Sequence, residues 1–170
     1  MNLRFVPFAL AALSTPAFAA GVTVEFTNPD KYTDAKVENS SLPAAQASLQ
    51  KRLREYLRQL GQRYLPDDQA LTIDVLDIDL AGRFEPWRPN ADTVRFMVST
   101  TWPSMKLRYE VRGPDGKTLA SGTETVMDQD YLRRPNQYSE SDTLRYEKRM
   151  LDTWFDAKFG RPRGQHAGLT

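Results

Sequence analysis

The sequence predicts an α+β fold: a mainly antiparallel sheet of four to five strands with two amphipathic helices packed on one face, in the order β-α-β-β-β-β-α. Three observations carry that expectation. Two stretches, one before residue 66 and one after residue 141, place large apolar side chains at spacings of three and four, the stripe of a helix lying on a core. Several shorter stretches between and before them alternate apolar with polar residues, the period of a half-buried strand. Gly113-Pro114-Asp115-Gly116 joins two of these with Asp-Gly, a strong hairpin signal. Strands bracketed by two such helices give a layer of helices on one sheet face.

The elements follow in chain order. Val22, Val24 and Phe26 point one way, and Asn28-Pro29-Asp30 ends that strand. Residues 31–40 are polar and without period, which predicts a loop. Ser41 can cap a helix that Pro43 enters near its first turn. Leu49, Leu53, Tyr56, Leu57, Leu60 and Tyr64 form its stripe, and Pro66 stops it. Residues 71–80 alternate with a fault: Leu71, Ile73 and Val75 are out of phase with Leu76, Ile78 and Leu80. A bulge near Val75-Leu76 returns the apolar set to one face and puts Asp77 and Asp79 together on the other. A strand buried on both sides would instead bury two carboxylates, which is costly.

Residues 82–92 hold two prolines, a tryptophan and an asparagine, and are expected to form a loop. Residues 93–99 predict a strand, with Val94, Phe96 and Val98 alternating against Arg95 and Met97. Residues 105–112 alternate most cleanly, and residues 118–127 return as the hairpin partner. The small residues Ala120, Ser121 and Gly122 suggest close packing against another element. After a polar loop, Ser139 or Ser141 is expected to cap the second helix, with Glu140 and Asp142 at its positive end. Leu144, Leu151, Trp154, Phe155 and Phe159 are its stripe, and Gly160 and Pro162 end it. Residues 161–170 are expected to be a disordered tail.

Residues 1–19 read as a signal peptide. Arg4 supplies the positive start and residues 5–13 the apolar run. Ser14, Thr15 and Pro16 break that run before Ala17-Phe18-Ala19, a small-x-small cleavage pattern. Cleavage is expected after Ala19 or Ala20, leaving one domain over residues 20–160 in the periplasm. The apolar run is half the length of a spanning helix, so the protein is not expected to span a membrane. With no cysteine anywhere, a lipoprotein anchor is excluded.

Composition narrows the function. The chain carries 23 Lys plus Arg against 22 Asp plus Glu, and loss of Arg4 leaves 22 of each sign. A zero balance argues against nucleic acid, whose binding is driven by basic side chains neutralising phosphates. Without cysteine there is no thiol nucleophile. His166, the one histidine, lies in the expected tail, so neither a Ser-His-Asp triad nor an imidazole or thiolate zinc site is expected. No metal or other cofactor is expected.

Candidate binding residues fall in three places. Asp77 and Asp79 on one strand and Asp128 and Asp130 after another could act together. They would be a calcium site, an acid–base pair or simply solvated strand-end charges. Arg83-Phe84-Glu85-Pro86-Trp87-Arg88-Pro89 sets a tryptophan between arginines on a stiff loop. That is either a recognition surface, since Trp and Arg are enriched at hot spots, or a lid folded back on the core. Tyr131-Leu132-Arg133-Arg134-Pro135 carries two adjacent arginines that could meet an anionic lipid or glycan or simply form a solvated loop; two charges are too few for stable membrane binding.

The stretch Asp77-Ile78-Asp79-Leu80-Ala81-Gly82-Arg83-Phe84-Glu85-Pro86 resembles a bacterial family of unknown function, DUF3016. Further agreement lies in Val22-Thr23-Val24-Glu25-Phe26-Thr27-Asn28-Pro29, Asp115-Gly116 with Gly122, Asp128 with Tyr131, and Tyr146-Glu147-Lys148-Arg149-Met150-Leu151 ahead of Trp154-Phe155. The resemblance implies a secreted domain, mostly of Gram-negative bacteria, and carries no activity or ligand. The leading expectation is a non-enzymatic periplasmic domain that binds an envelope protein or a small ligand. The rivals are a carboxylate-based hydrolase on an envelope glycan, whose two carboxylates would stand about 5–9.5 Å apart, and a calcium-stabilised structural domain.

Overall fold

The computed structural model describes residues 20–36, 43–88 and 94–160. The predicted signal peptide, the Ser41 cap, and the tail with His166 lie outside these residues. Strand β1 (Gly21–Phe26) leads through a short 3-10 turn (Pro29–Lys31) to helix α1 (Pro43–Tyr64). Strands β2 (Ala70–Asp79), β3 (Ser104–Arg112) and β4 (Thr118–Met127) follow, and helix α2 (Arg145–Phe159) closes the fold. The four strands form one sheet in the order β1-β2-β3-β4. β1 runs parallel to β2 because α1 carries the chain back between them, while the β2–β3 and β3–β4 pairs are antiparallel. The α+β class, the four-stranded sheet and the placing of the two helices among the strands are as the sequence predicts, with one strand fewer between the helices.

The core lies between one sheet face and the two helices. Every member of the predicted α1 stripe is buried. It packs with Val24, Ile73, Val75, Leu107 and Val111 from the sheet and with Leu151, Trp154 and Phe155 from α2. Each large side chain so buried contributes about 1.5–3 kcal/mol. Gly61 lets α1 approach β1 closely, since a Cβ there would stand 2.6 Å from Val22 Cγ2. The outer sheet face is polar, with Arg108 paired to Asp74 across β3 and β2 at 2.6 Å.

The predicted bulge is present: the β2–β3 register shifts between Val75 and Asp77. Ile78 and Leu80 thereby join Leu71, Ile73 and Val75 in the core, while Leu76 is only half-buried. The close packing expected at Gly122 is that of the Tyr109 ring, 3.0 Å from where a Cβ would sit.

Three elements differ from expectation. Residues 93–99 do not make a sheet strand. The described part forms a single antiparallel bridge, Arg83 with Phe96, because its neighbour is the short loop after β2, too brief for a ladder. Its phase is also inverted: Val94 is exposed, and the Arg95 side chain is turned inward at 8% exposure. The supposed loop after residue 31 partly extends the sheet, with Asp34 bridged to Asp79 in parallel fashion. Helix α2 begins later than a Ser139 or Ser141 cap would place it. Ser139 Oγ accepts the Ser141 N–H, and Asp142 Oδ1 accepts the Leu144 N–H at 3.0 Å in the turn before the helix, whose N-cap, Leu144, has no side-chain capping bond.

Candidate functional site

Two neighbouring features are built by the loop that leaves β2. The first is a turn. Arg88 N–H donates to Glu85 C=O at 2.9 Å, closing four residues with Pro86 and Trp87 at the centre. Proline is favoured at the first central position because its fixed φ matches the turn. Trp87 thus stands at the tip and is 72% exposed, so it is no lid. Phe84, one turn residue earlier, is half-buried beneath the Arg95 guanidinium.

The turn is clamped from below by Glu85, only 2% exposed. Its Oε1 accepts from Arg83 Nε at 3.1 Å and Nη2 at 3.0 Å. Its Oε2 is in ion-pair contact with Arg88 Nε, without the alignment of a hydrogen bond. Arg88 also lies over the Phe96 ring. Burying a carboxylate is tolerable only with such partners. Both arginines keep about half of their side-chain surface exposed beside Trp87.

The second feature is a cavity of about 280 Å³ between the turn Leu80–Gly82, residues 94–97 and the first turn of α2. It is lined by Leu80, Ala81, Val94, Arg95, Met97, Thr143, Arg145 and Glu147. Arg95 organises it. Its guanidinium donates to the carbonyls of Leu80, Ala81, Gly82 and Lys36 and to Asp34 Oδ2, all within 2.6–2.9 Å. Gly82 can turn here because its φ of +74° is open to glycine.

Glu147 is 2% exposed; its Oε1 accepts the Ala81 N–H at 2.8 Å and its Oε2 has no partner. Burial raises its pKa above the usual glutamate value, against the Ala81 hydrogen bond and the charges of Arg95 and Arg145.

The two predicted carboxylate pairs are not brought into one site. Asp79 faces Ser104 on β3, and Ser104 faces Met127 on β4, so β3 separates them. Asp77 accepts from the Thr33 N–H and hydroxyl, each at 2.7 Å. Burial and the nearby Asp34 raise the Asp79 pKa, with Arg95 opposing. Asp128 is buried in a 2.7 Å pair with Arg149, whose other donors hold the carbonyls of Tyr131, Arg134 and Pro135. The Tyr131–Pro135 segment therefore serves as backbone cage for Arg149. Asp130 is exposed and 3.6 Å from Arg133. Among the described residues no three acidic or histidine side chains converge as a metal site.

Sequence reasoning missed Arg95, Arg149 and Glu147. It also missed a clamp between the helices, where the Tyr56 and Tyr138 hydroxyls both donate to the Asp152 carboxylate. Burial raises the pKa of both tyrosines, the hydrogen bonds to Asp152 adding to it.

Fold and site together define a small α+β domain with an aromatic turn and an adjacent polar-lined cavity. The chain belongs to the DUF3016 family, described as proteins of unknown function, whose model matches residues 20–157. No curated protein matches the chain. Two of the stretches that carry the likeness, residues 77–86 and 146–151, meet at the Ala81–Glu147 hydrogen bond. No helix among the described residues is long and apolar enough to cross a membrane.

Proposed function

We propose that this protein is an exported, non-enzymatic periplasmic domain that docks an envelope protein on the turn formed by Arg83, Glu85, Trp87 and Arg88. The observation that carries the reading is the exposure of Trp87 on a turn whose buried carboxylate holds both flanking arginines. A large aromatic left in water on a rigid support costs little ordering entropy when a partner covers it. Trp and Arg are also the side chains that most often dominate binding energy. Export is supported by the placement of β1 and of the family match, which begin at Gly21 and residue 20, directly after the proposed cleavage position.

Crosslinking in intact cells tests the docking. A discrete crosslinked species that disappears with Trp87→Ala and weakens with Arg88→Ala is expected. A species unchanged by both variants rejects this surface. Mass spectrometry of the mature N-terminus tests export: it should start at Ala20 or Gly21, and an intact Met1 would contradict it.

A further inference from the structure

The cavity beneath the start of α2 has two charged groups with capacity left over, set among Arg95, Thr143 and apolar side chains. Glu147 contributes a carboxylate oxygen, Oε2, that is buried and has no hydrogen-bond partner. Such an orphan leaves a desolvation cost unrecovered, the more so when charged, so it calls for an occupant. Arg145 contributes a half-buried guanidinium. Its one short bond runs to the Glu140 carbonyl at 3.0 Å, its contacts to Asp142 C=O and Tyr146 OH are long, 3.5 and 3.4 Å, and one face lies over the Tyr146 ring. Arg95 cannot serve as the cationic group, because it is spent on four carbonyls and Asp34. The remaining wall is Leu80, Ala81, Val94 and Met97, with Thr143 beside them.

An acidic oxygen, a guanidinium and an aliphatic wall in one small space specify the ligand's groups. A cation alone leaves Arg145 unanswered, and an anion alone leaves Glu147 unanswered. The volume of about 280 Å³ lies just under the range of roughly 300–1,000 Å³ usual for drug-sized ligands, so the occupant is small. We propose that this cavity binds a free aliphatic α-amino acid, with its ammonium at Glu147 Oε2, its carboxylate at Arg145 and its side chain against Val94 and Met97. This site is separate from the Trp87 surface and stands or falls without it.

Titration calorimetry of the purified protein with L-valine tests the assignment, using propylamine and propionate as half-ligands. L-valine should bind with a dissociation constant of about 1 mM or tighter, and each half-ligand about tenfold more weakly or worse. Glu147→Gln keeps an acceptor for the Ala81 N–H and should melt cooperatively, yet bind L-valine at least about tenfold more weakly. No heat with L-valine from folded protein would overturn the proposal and leave the cavity to water. Propionate binding as tightly as L-valine, or Glu147→Gln binding it normally, would overturn it too.

Discussion

Glu85 and Glu147 are equally buried glutamates, each 2% exposed, and their surroundings differ. Glu85 has a guanidinium at each oxygen and supports a turn that projects outward. Glu147 has one backbone N–H at Oε1, a buried Oε2 without a hydrogen-bond partner, and a place in the cavity lining. The first arrangement balances its charge and stiffens a surface. The second leaves polar capacity unused, which a folded core retains only at a cost. One glutamate is therefore a support and the other a contact, although in sequence both are charges beside aromatic residues.

Arg95 links the two regions, and removing it is the harshest test of the distinction. Arg95→Ala leaves Asp34 and the Leu80–Gly82 carbonyls without their donor. A loss of about 3–5 kcal/mol in denaturant unfolding is expected, as for breaking a buried pair. Gly82→Ala should follow. Its Cβ would lie 2.4 Å from the Phe96 oxygen at a φ of +74°. Left-handed strain costs about 1–2 kcal/mol, and the clash adds to it. A neutral result at either position would separate the turn and cavity from the scaffold described here.

A pH profile sharpens the contrast further. Burial raises the Glu147 pKa in the folded chain. The folded state therefore holds this proton more tightly than the unfolded state does. Its contribution favours folding at low pH and is lost as pH rises from about 4.3, the ordinary glutamate value, through the raised one. Arg95 and Arg145 face the carboxylate and limit the shift. The difference in stability between Glu147→Gln and the parent should grow in favour of the variant across that window. A flat difference would mean that Glu147 is solvated or paired. The smallest effect on stability is expected at Trp87, where truncation to alanine should change it by no more than about 0.5 kcal/mol, as for other exposed positions.

Regular periods made most of the fold legible. The α1 stripe, the hairpin at Asp115-Gly116 and the bulge at Val75-Leu76 all follow from counting apolar positions. Arg95 was illegible because an arginine between Val94 and Phe96 looks like the outward residue of a strand. Only tertiary structure brings five acceptors to it. Glu147 left a signal. Leu144, Glu147, Leu151 and Trp154 stand at helical spacing, so a carboxylate occupies a position on the apolar stripe of α2. Its partner Ala81 is 66 residues away, which periodicity does not reveal. Asp77 and Asp79 were placed on the correct face, but Thr33 and Asp34 came from a stretch without any period.

The measurement closest to the central claim is site-specific photocrosslinking in living cells. A photoreactive side chain would replace Trp87 in one variant and Leu119 in another, Leu119 being 57% exposed on β4, far along the chain from the turn. The turn position should give a single defined adduct and the β4 position none. Equal labelling at both positions, or none at Trp87, would contradict a docking role for the turn.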